Sequence, residues 1–145
     1  EKERAMQQHV FSFFIHQSLQ HKKLLEVHTR HAKQEAIDLL QKHEAENILL
    51  HWFSGNKKQI QTIIENKWVC SVGPTILNSP HVDKFIQSMP LELLALETDS
   101  PIPFDGTPSS PAWIPRVAEK VAQLKEVELS EVAKAQSLIF KRFFP

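Results

Sequence analysis

One repeated unit constrains this chain more than any single motif: a helical apolar stripe, a short polar break, then a brief apolar run that stops at a turn. Gln7 to Gln20 carries Val10, Phe13, Phe14 and Leu19 at roughly helical spacing and passes through Gln20-His-Lys-Lys23 into Leu24-Leu25. Lys33 to His43 sets Ala36, Ile37, Leu39 and Leu40 on one stripe and feeds Ile48 to His51. Lys57 to Asn66, with Ile60, Ile63 and Ile64 on one face, precedes Trp68 to Val72, which ends at Gly73-Pro74. His81 to Met89 is a shorter helix, stopped by Pro90 before Leu91 to Leu96. Four helix-to-strand units in series predict a parallel sheet, because strands joined through helices run parallel with right-handed crossovers. The class is α/β. Beyond it, the proline-rich stretch Ser100 to Pro115 reads as a long loop without a regular element, of the kind that lines a site. Val117 to Leu124 and Ser130 to Phe140 read as closing helices, the second with Ser130 as N-cap over Glu131.

Three of the strand-like runs end in residues that bind metals: Leu24-Leu-Glu-Val-His28, Ile48-Leu-Leu-His51 and Leu93-Leu-Ala-Leu-Glu97-Thr-Asp99. A strand that delivers His or Asp from its C-terminal end into a loop is where barrel enzymes keep such ligands. Imidazole and carboxylate together suit Zn²⁺, Mn²⁺ or Mg²⁺ when water and substrate oxygens complete the shell. Each residue also has a plainer reading. His51 alone is a polar strand end bonded to backbone, and Asp99-Ser-Pro101 alone is an Asx turn before proline. His9, His16, His21, His31, His43 and His81 have no partner at ligand spacing and read as solvated or packing residues; His31 is notable only for adjoining the His28 loop.

Composition narrows the partners. With 145 residues, 41% hydrophobic and 23% charged, the chain reads as one soluble globular domain. Its 17 basic and 17 acidic residues cancel, which excludes a whole-chain field that would attract polyanions. Nucleic acid would need a local site with metal ions supplying the positive charge. Cys70 has no second cysteine to pair with and reads as a small core residue in a reducing, cytoplasmic setting. No apolar run approaches the ~20 residues of a membrane span, and Glu1-Lys-Glu-Arg-Ala lacks signal-peptide form. Without an initiator Met, the sequence reads as a fragment.

The segments Val27-His-Thr-Arg30, Leu50-His-Trp-Phe-Ser-Gly55, Ser71-Val-Gly-Pro-Thr75 and Leu96-Glu-Thr-Asp-Ser-Pro101 stand in an order and spacing that resemble the TatD family of metal-dependent hydrolases and deoxyribonucleases, from about Gln7 to the end. The resemblance implies a TIM-type (β/α)8 barrel of the metallo-dependent hydrolase kind. Since such barrels take ~250 residues, residues 1–145 would be a single domain holding the C-terminal portion and missing the first three strands. The implied activity is hydrolysis of phosphodiester bonds in DNA, or else RNA, by a metal-activated water, often from the 3′ end. By resemblance His28 is the ligand from the fourth strand, His51 from the fifth and Asp99 from the seventh, with two divalent ions in the intact protein. Asp99 is also placed to orient or deprotonate the attacking water. Arg30 would hold a substrate phosphate or a neighbouring carboxylate, Trp52 would stack on a base or pack under its loop, and Glu97, two residues before Asp99, would support the ligands from behind.

Family members also carry a His-x-His pair on the first strand and a bridging Glu on the third, which this chain does not contain. Phe104-Asp-Gly-Thr-Pro-Ser-Ser-Pro111 lacks an Arg-Asn pair common in that loop, and Lys134-Ala-Gln-Ser137 replaces a Thr-x-x-Asn pattern, a change expected to concern helix packing. His51-Trp-Phe-Ser-Gly55 further resembles TatD-like proteins encoded with bacterial antiviral defence systems, which implies protein partners. Two alternatives stand beside the nuclease: a non-catalytic binding or assembly subunit that keeps the barrel, and a metal-dependent hydrolase of small-molecule or aminoacyl esters or amides. If the other half of a barrel is merely out of view, Phe11, Phe13, Phe14, Ile60 and Ile63 should face an ordered core; if it is absent, another chain must cover the open sheet edge.

Overall fold

Helix and strand alternate as the apolar spacing predicts, and the connections do the rest. The computed structural model describes residues 2–144. Its first four units are α1 (Lys2–His21), β1 (Leu25–His28), α2 (Lys33–Lys42), β2 (Ile48–His51), α3 (Lys57–Glu65), β3 (Val69–Val72), α4 (Pro80–Ser88) and β4 (Leu94–Leu96). A two-stranded ribbon, β5 (Pro103–Phe104) and β6 (Thr107–Pro108), comes next, then α5 (Ile114–Lys125) and α6 (Leu129–Phe143). The four strands lie side by side in chain order, all parallel, so His28 stands opposite His51 and Ser71 opposite Ala95. The α/β class is therefore observed.

Two-residue alternation sorts each strand between the faces of the sheet. Val27, Ile48, Leu50, Cys70, Val72 and Leu94 are buried on the helix-covered side, in one cluster with Ile37, Leu40, Ile63, Ile86, Val117 and Val121. The other side carries Glu26, His28, Leu49, His51 and Ser71. Local chemistry sets the helix ends that aim these strands. α3 opens on a reciprocal cap in which Gln59 N–H donates to Asn56 Oδ1 (3.0 Å) and Asn56 N–H donates to Gln59 Oε1 (3.1 Å). Before β3, buried Trp68 donates its indole N–H to Ala45 O at 2.9 Å.

Four expectations change. Ser100 to Pro115 does contain regular structure: Asp105 (φ 51°) and Gly106 (φ 73°) form the two-residue turn of the β5–β6 hairpin, the Asp-Gly turn signal that the surrounding prolines obscure. The cap of α6 is Glu128, not Ser130; its N–H donates to Glu131 Oε2 at 3.2 Å, and Leu129 already lies in the helix. In α1, Met6, Phe13 and Phe14 are more than half exposed and Val10 is exposed too, because Phe11, Ile15 and Ser18 take the side that meets the sheet and α2. Last, the replaced tetrapeptide near the end does more than pack. Gln136 donates its amide to Leu94 O (2.8 Å) and accepts from Leu96 N–H (2.9 Å), so one side chain satisfies the free edge of β4.

Candidate metal centre

The C-terminal ends of β1, β2 and β4 converge on the His51 ring. Its Nδ1 lies 3.0 Å from Glu97 Oε2 and its Nε2 3.5 Å from Asp99 Oδ2. The His28 ring sits alongside, centroid to centroid 5.2 Å. The structure thus brings His28, His51, Glu97 and Asp99 together from three segments far apart in sequence. Glu97 and Asp99 follow β4 rather than belonging to it, and Asp99 turns the chain in the left-handed region (φ 50°). Trp52 does the same directly after His51 (φ 45°), a rare conformation for a bulky residue that requires support from its surroundings.

That support is visible. The Trp52 N–H donates to Ser71 Oγ (3.0 Å) and to Glu97 Oε1 (3.3 Å), and the indole stacks nearly parallel to the His51 ring at 5.9 Å. The indole also lies against Gly73, where a Cβ would come within 2.1 Å of Trp52 Nε1. Of the two roles expected for Trp52, packing under the loop is the one its contacts describe; its buried Nε1 has no hydrogen-bond partner among the described residues.

Arg30 is exposed and has no ion pair among the described residues. The strand ends at His28, and Arg30 lies with His31 (φ 60°) in the turn that follows. Arg30 nevertheless lines the same cleft of about 280 Å³ as His28, His31, Lys33, His51 and Trp52. Lys33 is engaged there, donating to Ser54 O and lying 5.5 Å over the Phe53 ring.

Sequence reasoning missed two participants. Glu26 Oε1 lies 3.5 Å from His51 Nδ1; the signal was its place two residues before His28, on the same strand face. Ser71, nearly fully buried, donates its hydroxyl to Glu97 Oε1 at 2.6 Å. A second possible ligand set follows, since one ligand atom from each of Glu26, His51 and Glu97 lies within 4.8 Å of the others. The hydrogen bonds favour the Nε2 side instead. Both Glu97 oxygens already accept from donors, which suits a carboxylate that orients an imidazole, whereas Nε2 and Asp99 face each other unshared. Two atoms each about 2.1 Å from an ion at the tetrahedral angle lie about 3.4 Å apart, and the Nε2 to Oδ2 gap is 3.5 Å. The His51 Nε2 and Asp99 Oδ2 pair thus has the spacing of two ligands on one divalent ion.

Comparison with known proteins identifies the family. The TatD related DNase family pattern matches residues 1–145. The chain belongs to the TatD family. Human deoxyribonuclease TATDN3 is 33% identical over 121 residues, 82% of this chain and 44% of that protein. An uncharacterized metal-dependent hydrolase of Haemophilus influenzae is 31% identical over 123 residues, covering 83% and 49%. Among solved structures, YJJV, the TatD homologue from Escherichia coli K12, superposes with a TM-score of 0.79 at 25% identity, over 88% of this chain and 52% of that one. This TatD chain therefore spans about half the length of the curated relatives it matches, and its parallel strands are part of a TIM-type barrel of the metallo-dependent hydrolase kind.

Proposed function

We propose that these residues form part of the active site of a metal-dependent hydrolase that cuts phosphodiester bonds in DNA, with His28, His51 and Asp99 as metal ligands. The observation that carries the reading is the facing pair, His51 Nε2 and Asp99 Oδ2, beside the His28 ring at the C-terminal ends of parallel strands. DNA is favoured because the human relative is named a deoxyribonuclease. Among the described residues no helix is long and apolar enough to cross a membrane, and the lone cysteine is buried and unpaired, which supports a reducing, cytoplasmic setting.

A bound divalent ion would acidify water and polarise a phosphoryl oxygen. His51 would offer it the Nε2 lone pair in the tautomer that donates Nδ1–H to Glu97, 3.0 Å away. Asp99, only partly exposed, would help hold the ion, and its carboxylate is the group beside His51 that could accept a proton from water. Arg30, free on the cleft wall, grips a phosphate oxygen pair with its planar fork. Trp52, wedged on Gly73, closes the floor behind His51. In this reading the remaining ligands, and the cover for β1 and the apolar side of α1, come from further barrel strands, since the relatives are about twice as long.

The test is a substrate panel of single-stranded DNA, RNA and simple phosphate, carboxylate and aminoacyl esters, run on the intact protein with and without chelator. DNA cleavage that chelation stops and Mg²⁺, Mn²⁺ or Zn²⁺ restores is expected. Preference for an ester moves the assignment to small-molecule hydrolysis. Binding of DNA without turnover under every metal would return the non-catalytic subunit.

A further inference from the structure

The Ser71 hydroxyl occupies one end of a hydrogen-bond chain that crosses three strand ends. A serine hydroxyl has a single proton to give. Ser71 gives it to Glu97 Oε1 at 2.6 Å and uses a lone pair to accept the Trp52 N–H at 3.0 Å. Glu97 Oε1 also takes the longer bond from the same N–H, which leaves Oε2 turned toward His51 Nδ1 at 3.0 Å. In a neutral imidazole only one nitrogen carries hydrogen, and the 3.0 Å contact with Glu97 favours Nδ1 over Nε2, which lies 3.5 Å from Asp99 Oδ2. The lone pair is then at Nε2, on the side of Asp99. Ser71 is 1% exposed, so water does not replace its hydroxyl if it is removed. Glu97 would lose its shortest anchor, and Glu26, 3.5 Å from the same Nδ1, would be left as a looser, more solvated partner.

We propose that Ser71 is the positioning residue of this site: through Glu97 its hydroxyl selects the protonated nitrogen of His51 and fixes the direction in which the other nitrogen points. The inference rests on the reading of His51 as a metal ligand through Nε2, and it adds what holds that ligand ready. Ser71 never touches the ion or the substrate.

Two measurements on the intact protein test it. In metal-free protein at about pH 8, above the ordinary histidine range, ¹⁵N NMR of the His51 ring reads which nitrogen is protonated. The wild-type protein should show Nδ1–H predominantly, and Ser71→Ala should shift the ring to a mixture of tautomers. Calorimetric titration with Zn²⁺ should then show affinity weaker by about 10- to 100-fold in Ser71→Ala, the usual cost of removing a group that orients a ligand, with Ser71→Thr restoring it. Should the alanine variant fail to fold, Ser71→Cys keeps the volume but offers only a weak donor, and should behave as the alanine is expected to. A folded Ser71→Ala or Ser71→Cys protein with the wild-type tautomer and wild-type Zn²⁺ affinity overturns the proposal. If the wild type binds no divalent ion but the tautomer still moves, the positioning role stands and the metal reading falls.

Discussion

The two faces of the parallel sheet are built from alternate residues of the same strands, and toward the C-terminal ends they hold opposite chemistry. Toward the helices, Val27, Ile48, Leu50, Cys70 and Val72 are almost completely dry. Toward the open side stand Glu26, His28, His51 and Ser71, followed beyond β4 by Glu97 and Asp99; hydrogen bonds link Ser71, Glu97 and His51, and Glu26 and Asp99 each lie 3.5 Å from the His51 ring. A strand separates the two tasks at a cost of one residue. Nothing forces a residue that carries chemistry to carry stability as well, because its neighbour in sequence points the other way. Leu50 and His51 are the sharpest instance, adjacent in the chain and on opposite faces.

Substituting these two in turn is the most direct way to break the comparison. Leu50→Ala should lower folding stability by about 2–5 kcal/mol, since a fully buried site leaves a cavity when its side chain is truncated. That is a large part of the 5–15 kcal/mol typical of a domain, about which denaturant unfolding would be decisive. His51→Ala should abolish ion binding on its side of the site and metal-stimulated hydrolysis with it, while stability falls by less than for Leu50→Ala, about 1–2 kcal/mol, because the largely buried ring leaves Glu97 short of one partner but opens no apolar cavity. A His51→Ala protein that unfolds as readily as Leu50→Ala would show that the faces are not separable.

The same division explains what could be seen before the structure. Helical stripes and short apolar runs report the dry face, where one residue type suffices, so the four units and their parallel order were legible from Ala36, Ile37, Leu40, Ile63 and their strands. The polar ends His28, His51 and Asp99 were legible as candidates because ligand chemistry needs particular side chains at strand ends. Glu26 and Ser71 were not, because what makes them part of the site is a contact across strands: Ser71 reads as one more small residue until β4 brings Glu97 to 2.6 Å. The same holds for Gln136, whose amide bonds the edge of β4 and has no local signature. Asp105-Gly106 was overlooked for the opposite reason, a clear turn signal lying among prolines that normally argue against strands.

A smaller effect should come from the place where the faces meet. Gly73 closes β3 with ordinary extended backbone (φ −119°), so Gly73→Ala meets no torsional objection. Its Cβ would collide with the Trp52 indole, however, at 2.1 Å from Nε1 and 2.5 Å from Cε2. Displacing a packed side chain costs about 1–3 kcal/mol, and here the ring that must move is stacked on His51. Weaker ion binding together with a modest loss of stability is the expected pair of results. Loss of stability alone would mean that the loop carrying Trp52 adjusts without disturbing the ligand.

The weakest prediction concerns a contact that belongs to neither face. Between α1 and α2, half-buried His43 places Nε2 3.1 Å from Ser12 Oγ and meets the His16 ring edge-on at 4.7 Å. Burial above all, then the neighbouring charges of His16 and Lys42, holds the His43 pKa below its ordinary value of 6.5. Unfolding restores the ordinary value, so at mildly acidic pH the unfolded chain binds more protons than the folded one and stability falls with pH. The contribution is complete above the unfolded pKa, near 6.5, and is lost as pH drops through the lower folded value. Thermal unfolding followed from neutral pH downward should therefore show a falling Tm, with a shallower fall in His43→Gln. Because the ring is only half-buried, solvent screens the effect and the difference in slope should be slight. An unchanged slope would mean that α1 and α2 yield enough to let His43 charge without strain, leaving the dry face of the sheet to set stability alone.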